Sequence, residues 1–112
     1  MNEAFSRTAA LLGERRMERL SAAKVLVVGV GGVGGWCAEA LVRGGLGSIT
    51  LMDDDIVVAS NLNRQSAATL ESLGELKVEA MKKRLLSINC DCNVEAWSER
   101  FSEEGDLRLS GF

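Results

Sequence analysis

Four glycines directly after an apolar run have the types and spacing needed to hold phosphate. The run from Val25 to Val28 predicts a buried strand, and the glycines after it are Gly29, Gly31, Gly32 and Gly34. Apolar residues at helical spacing come next, so the order is strand, turn and helix. Glycine lets backbone N–H groups approach an anion, and the new helix directs its positive end toward it. The segment therefore predicts a phosphate-binding turn.

An acidic residue closes the next predicted strand. Ser48 to Met52 predicts a second strand, which ends at Asp53. Asp53 follows Gly34 by about 20 residues, the separation expected for a carboxylate that hydrogen-bonds a ribose. Glycine-rich turns also occur where a strand and a helix merely pack closely, and a strand can end in Asp because loops are polar. The leading interpretation is a nucleotide site, with close packing as the structural alternative.

The polar segment after Asp53 distinguishes a site for a triphosphate from a site for a dinucleotide. A triphosphate carries more negative charge and loses pyrophosphate, so cations are needed near it. Arg64 offers a rigid fork and Lys77 a point charge, while Asn61 and Gln65 could hold phosphate oxygens or a metal-bound water. A nicotinamide-dependent oxidoreductase, the rival enzyme class, would leave these side chains without a role. The alternative is that Arg64 and Lys77 are ordinary solvated charges.

Composition narrows the function classes. The chain has 112 residues, which allows one domain, and its net charge of −3 argues against a strongly basic nucleic-acid surface. Histidine is absent, so no imidazole base or ligand is available. No apolar run approaches the roughly 18 residues of a membrane span and no signal core opens the chain, so we expect a cytoplasmic protein without a membrane span.

The three cysteines, Cys37, Cys90 and Cys92, form no C-x-x-C pair. A zinc site or a disulfide is therefore not expected. We expect Cys37 to be a small packing residue of the first helix after the glycines. No neighbour suited to lowering a thiol pKa accompanies any of the three, so no catalytic role is assigned to them.

Periodicity predicts the following elements: an N-terminal helical segment 1–23 with helices 5–12 and 15–23, strands 24–30, 48–53 and 93–97, main helices 33–42 and 75–88, and a helix start at Ser102. A polar segment, 54–66, lies between the second strand and the second main helix. Lys82, Lys83 and Arg84 are predicted to form an exposed, solvated face of that helix.

These elements predict an α/β fold: a Rossmann-like three-layer sandwich, of which the chain supplies the N-terminal half of a doubly wound, mainly parallel sheet in the order 3-2-1. Residues 24–112 would then be a partial ATP-binding domain that stops before a fourth strand. The first strand is apolar on both faces and is expected to need neighbours on both sides. We therefore expect this chain to be a fragment of a longer protein.

The chain resembles the first half of the adenylating domain shared by the ThiF, MoeB and HesA proteins and the ubiquitin-activating enzymes. The matching segments, which span most of residues 5–89, are Gly29-Val-Gly-Gly-Val-Gly34, Leu51-Met-Asp53-Asp-Asp55, Ser60-Asn-Leu-Asn-Arg-Gln65 and Gly74-Glu-Leu-Lys77. The resemblance implies ATP with Mg²⁺ as cofactors. It further implies that phosphates lie over the glycine turn, that ribose lies on Asp53, and that the site includes Asp55, Asn61, Arg64, Gln65 and Lys77. Members activate a carboxylate as an acyl-adenylate.

Within that family, Phe5-Ser-Arg7-Thr8 and Asn63-Arg64-Gln65 are most similar to the tRNA threonylcarbamoyladenosine dehydratases. This resemblance implies that tRNA is the substrate and that cyclisation of the activated group expels AMP. It also implies a homodimer in which Arg7 reaches the neighbouring ATP site and acts with Arg64 and Lys77 in catalysis. The nearest alternative is a sulfur-carrier adenylyltransferase, with a carrier or sulfur-transfer protein as partner. The family's metal-binding aspartate is expected beyond Phe112, so none of these 112 residues is assigned to metal and the piece alone is expected to be inactive.

Overall fold

Three parallel strands and the helices that connect them form the centre of the molecule, seen in a computed structural model that describes residues 3–112. The elements are α1 (Ser6–Leu12), α2 (Glu14–Ala22), β1 (Lys24–Val28), α3 (Gly32–Gly44), β2 (Ser48–Met52), α4 (Lys77–Ile88) and β3 (Asn93–Trp97), with 3-10 turns at Glu3–Phe5, Ala59–Asn63 and Leu107–Gly111. The strand order β1-β2-β3 confirms the predicted half of a Rossmann-like sheet. The first two residues of the predicted helical segment 1–23 lie outside the described residues.

One face of the sheet carries the core. Its side chains form two rows across the strands, Val25, Ile49 and Val94 in one and Val27, Leu51 and Ala96 in the next. Because successive side chains of a strand point to opposite faces, both rows face the same layer. There they join apolar residues of α3 and α4, among them Val42, Val78, Met81 and Leu85. The two helices therefore pack together over this face.

The opposite face is only partly covered, so the run from Val25 to Val28, predicted to be a buried strand, is buried mainly on one face within these residues. Val28 keeps 49% of its surface exposed. Arg108 and Phe112 cover this face at β3. The guanidinium carbon of Arg108 lies 4.1 Å from the centre of the Trp97 ring, and Phe112 packs edge-on against that ring. Within residues 3–112, β1 pairs with β2 alone. It is therefore a half-buried edge strand.

Several element boundaries differ from the prediction for local reasons. β1 ends at Val28 because Gly29 has a φ of +84°, which leaves the strand conformation. The second main helix begins at Lys77 rather than residue 75, since the Gly74 N–H donates to the Val57 carbonyl and the Val57 N–H to that of Glu75. These bonds hold residues 74 and 75 in a loop.

No helix begins at Ser102. Its hydroxyl accepts the N–H of Glu104 in a local turn, and the chain enters a 3-10 turn only after Asp106, which accepts the N–H of Arg108. No helix within residues 3–112 combines the length and apolar character needed to cross a bilayer.

The cysteines are free, but Cys37 is exposed, which corrects the expectation that it packs in the core. The neighbouring Ala38 is fully buried, so Cys37 lies on the outward side of α3. Cys92 is buried, and burial raises the pKa of its thiol. A raised thiol pKa disfavours the reactive thiolate.

Candidate functional site

The glycine turn places the start of α3 directly against the end of β1. Gly29 has a φ of +84°, a conformation that other residues rarely adopt. A Cβ at Gly34 would lie 1.7 Å from the Gly29 carbonyl oxygen, so no side chain fits there. The first N–H groups of α3 lack partners within the helix and carry its positive end. The turn therefore offers anion-binding donors at close range.

Arg64 and Gln65 lie over this turn. A Cβ at Gly31 would be 3.5 Å from Gln65 Nε2, and one at Gly32 would be 3.8 Å from Arg64 Cγ. Both distances are ordinary contacts, so Gly31 and Gly32 are not required sterically as Gly34 is. The two contacts show that the structure brings the turn together with Arg64 and Gln65, the side chains that the sequence assigned to phosphate.

Asp53 joins the ends of β1 and β2. Its Oδ2 accepts the N–H of Val30 at 3.0 Å, and its Oδ1 accepts the N–H of Asp55 at 2.9 Å. A carboxylate has about four acceptor positions, so capacity remains for two hydroxyl groups. Asp53 also lines a groove of about 310 Å³ at the carboxyl ends of these strands, together with Gly29 and Phe101. A larger groove, about 610 Å³, lies among α2 and the residues before β2, away from these side chains.

The Arg64 guanidinium is exposed, but its position is defined. Its Nη1 donates to the Ser60 carbonyl at 3.1 Å and to Asn63 Oδ1 at 2.8 Å. The backbone carbonyl of Arg64 accepts the indole N–H of Trp36 at 2.7 Å. A guanidinium has five N–H donors, so others remain for an anion.

Asn61 is buried and holds the loop itself. Its Oδ1 accepts the N–H of Val58 at 3.0 Å, and its carbonyl accepts the N–H groups of Arg64 and Gln65. The side-chain oxygen is therefore committed to the backbone, and the amide nitrogen is the group left to donate to phosphate. Gln65 is also buried.

Lys77 is the first residue of α4 and is only 8% exposed. Its Nζ lies 3.8 Å from Asp55 Oδ2, and its N–H donates to the Asp55 carbonyl at 3.0 Å. A cation at the positive end of a helix is unfavourable unless negative charge accompanies it. Asp55 is largely exposed, so an arriving phosphate could share the ammonium with it.

Arg7 stands apart from the other candidates. It is exposed on α1, which packs chiefly against α2 and the first 3-10 turn. Within residues 3–112, no hydrogen bond or ion pair connects Arg7 to Asp53, Arg64 or Lys77. Its assignment to a neighbouring subunit's site stays a prediction.

The carboxylates of Asp53, Asp54 and Asp55 come within 4.8 Å of one another. Oxygen donors of this kind suit Mg²⁺. Asp53 already accepts two N–H groups, however, and Asp55 pairs with Lys77. The triplet is explained by these contacts, and we assign none of it to a metal.

Sequence reasoning missed a buried carboxylate on α3. Glu39 is 6% exposed and accepts the Ser66 hydroxyl at 2.9 Å and Arg84 Nε at 2.7 Å, with Arg43 Nε 3.5 Å away. Burial raises the pKa of Glu39, but the hydrogen bonds from Arg84 and Ser66 and the charges of both arginines outweigh burial, so the pKa lies below its ordinary value. An acid between the apolar residues of a core helix is the signal that could have indicated it.

Lys83 and Arg84 are exposed, as predicted for the run 82–84, but the Arg84 guanidinium is not simply solvated. It is a partner of a buried charge. Lys83 is exposed and pairs with Glu75, which raises the Lys83 pKa.

Comparison with known proteins adds independent information. Residues 5–110 match the sequence profile of the ThiF family. The tRNA threonylcarbamoyladenosine dehydratase of Escherichia coli K12 is 47% identical over 90 residues, which cover 80% of this chain and 34% of that protein. The sulfur carrier protein adenylyltransferase of Thermus thermophilus is 39% identical over 98 residues, covering 88% of this chain and 36% of that protein.

The crystal structure of the E. coli tRNA N6-threonylcarbamoyladenosine dehydratase in complex with ATP superposes with a TM-score of 0.92 at 38% identity, covering 97% of this chain and 45% of that one. The chain thus spans between a third and a half of the length of these relatives.

Proposed function

The chain belongs to the ThiF family, and from that premise we propose that the full-length protein uses ATP to adenylate a carboxylate. One observation carries the proposal: Arg64 and Gln65 lie over the glycine turn. A dinucleotide held by backbone N–H groups needs little further positive charge. A triphosphate needs a cation where pyrophosphate departs, and an exposed guanidinium beside the turn meets that need.

In the proposed reaction the phosphates lie on the N–H groups at the start of α3, and Asp53 accepts the ribose hydroxyls. A substrate carboxylate oxygen attacks the α-phosphorus, and the bond to the bridging oxygen of pyrophosphate breaks. Arg64 and Lys77 stabilise the charge that develops on the phosphates. The products are an acyl-adenylate and pyrophosphate. Mg²⁺ would supply further charge neutralisation on the triphosphate.

We propose threonylcarbamoyladenosine in tRNA as the substrate, with AMP expelled on cyclisation. The support is the identity of 47% to a dehydratase whose name states that substrate, against 39% to the sulfur carrier adenylyltransferase. A cytoplasmic homodimer that shares Arg7 between subunits is part of this proposal. The second candidate is adenylation of a sulfur carrier protein, favoured by the similarity to the T. thermophilus enzyme.

The test uses purified full-length protein with ATP and Mg²⁺. AMP and pyrophosphate are measured with tRNA carrying threonylcarbamoyladenosine, with the same tRNA lacking the modification, and with a sulfur carrier protein. We expect AMP to be released only when the tRNA carries threonylcarbamoyladenosine, with one AMP for each modified tRNA. Turnover with the carrier alone would select the second candidate. A melting temperature raised by NAD but not by ATP with Mg²⁺ would overturn adenylation and favour an oxidoreductase.

A further inference from the structure

Two side chains of α3 hold both ends of the segment 64–66. The Trp36 indole N–H donates to the Arg64 carbonyl at 2.7 Å, and the Ser66 hydroxyl donates to Glu39 Oε1 at 2.9 Å. Residues three apart are neighbours on a helix surface, so Trp36 and Glu39 present their polar atoms from the same side of α3. The segment is therefore attached at two points to the helix that begins at the glycine turn.

The residue between these two points is Gln65. It is buried, and its amide lies against the position of a Gly31 Cβ, while the stem of Arg64 lies against that of Gly32. The two attachments, together with the Asn61 carbonyl that accepts the Arg64 and Gln65 N–H groups, restrain the segment that carries these side chains. Neither attachment uses the guanidinium, which stays available for a ligand.

Glu39 also reaches the second helix of the site. Arg84 of α4 donates to the same Oε1 that accepts the Ser66 hydroxyl. Since α4 begins at Lys77, one buried carboxylate connects the glycine-turn helix, the segment 64–66 and the helix that carries the buried lysine. Burying a carboxylate is costly, and a well-packed apolar group often stabilises as much. The hydrogen bonds from Arg84 and Ser66 offset that cost, and they fix the relative positions of the three segments that meet at Glu39.

We propose that Trp36 and Glu39 are positioning residues that hold Arg64 and Gln65 over the glycine turn in register with the triphosphate, an inference that rests on the proposed function. Neither touches the reacting atoms. Both act through the backbone and hydroxyl of the 64–66 segment, and catalytic groups lose much of their effect when displaced by about 1 Å.

The experiment measures the dissociation constant of ATP with Mg²⁺ by titration calorimetry, and kcat and KM, in the full-length protein. Trp36→Phe removes the indole donor and keeps an aromatic ring, and Glu39→Gln keeps the shape and removes the charge. We expect each to weaken ATP binding and lower kcat/KM by about threefold to tenfold, the effect of one lost hydrogen bond. Trp97→Phe and Glu18→Gln are the matched controls and should leave ATP binding unchanged.

A double-mutant cycle separates positioning from general loosening of the fold. The Trp36 bond goes to the Arg64 carbonyl, which Arg64→Ala retains. If Trp36 acts through the Arg64 and Gln65 side chains, Trp36→Phe has little further effect on ATP binding in a background that carries both Arg64→Ala and Gln65→Ala. Additive effects on ATP binding would overturn the proposal. If Trp36→Phe fails to fold, the same cycle with Glu39→Gln decides the question.

Failure of the positioning proposal can be distinguished from failure of the proposed function. ATP binding that Arg64→Ala weakens, but that Trp36→Phe and Glu39→Gln leave unchanged, overturns the positioning role and leaves the proposed function standing. Absence of ATP binding by the unaltered protein overturns both.

Discussion

Gly34 sits so close to Gly29 that a Cβ at residue 34 would lie 1.7 Å from the Gly29 carbonyl oxygen. Real atoms do not approach so closely, and the neighbour is backbone rather than a flexible side chain. The close packing of α3 on the end of β1 therefore depends on the absence of a side chain at this one position. The same contact keeps the first N–H groups of α3 near the carboxyl end of the strand, where a phosphate would bind.

Gly34→Ala should displace the turn and destabilise the fold by about 1–3 kcal/mol, the usual cost of overpacking. Gly44→Ala is the matched control, because Gly44 belongs to the same helix and a Cβ there meets nothing within 4 Å. It should be neutral or stabilising by up to about 1 kcal/mol. Urea unfolding measures both, and equal stability of the two variants would contradict the steric argument.

Arg64→Ala should lower the rate of acyl-adenylate formation by about 100-fold or more, as expected for the loss of a charged group that stabilises a transition state. Its side-chain partners, the Ser60 carbonyl and Asn63, are on an exposed loop, so the free energy of unfolding should change by less than about 0.5 kcal/mol. Pyrophosphate exchange and urea unfolding test these points. Arg15→Ala, an exposed arginine on α2, serves as control, and unchanged turnover by Arg64→Ala would remove Arg64 from the proposed mechanism.

Lys77→Met should lower the same rate by about 100-fold while the protein stays folded, because the apolar stem is retained and only the ammonium is lost. Asp55, its partner, is largely exposed and can be hydrated when the cation is absent. Lys83→Met removes an exposed ammonium from the same helix and should leave the rate unchanged. If both variants lose the same share of activity, Lys77 has no special role.

Glu39 should make stability depend on pH. Its pKa is lowered in the folded protein, so its stabilising contribution is complete above the ordinary carboxyl value of 4.5 and is lost as pH falls through the lower folded value. Glu39→Gln should therefore lower the free energy of unfolding by about 1–3 kcal/mol at pH 7. The difference in this free energy between the variant and the unaltered protein should become smaller at acidic pH. Urea midpoints at several pH values test this, with Glu18→Gln as control. A gap independent of pH would mean that the charge of Glu39 contributes nothing.

Mixing two inactive variants tests whether Arg7 acts across a dimer. If Arg7 of one subunit completes the site of its neighbour, a mixture of Arg7→Ala and Arg64→Ala proteins contains mixed dimers with one intact site. Random exchange should then restore about a quarter of the activity in a two-fold symmetric dimer. No recovery after verified subunit exchange would place Arg7 within its own subunit's site, and full activity of Arg7→Ala before mixing would place Arg7 outside catalysis.

The elements of the site could be predicted from the amino-acid sequence because their signals are local. An apolar run followed by polar or glycine residues predicted the first two strands, although their ends were expected at residues 30 and 53 and lie at residues 28 and 52. The turn was predicted from its glycines, and Gly29 has the positive φ that other residues rarely adopt. The strand order follows from the preference of consecutive strands to lie side by side, joined here by crossover helices. These features depend on residues that are neighbours in the chain.

Tertiary structure alone decided which side chains share a partner. Glu39, Ser66 and Arg84 meet at one carboxylate although long stretches of chain separate them, and Trp36 finds its acceptor on the backbone of Arg64. Backbone acceptors leave no mark on residue type, so no pattern indicates such a bond. The outward position of Cys37 and the half-exposed Val28 have the same origin, because burial depends on which surfaces the folded layers cover.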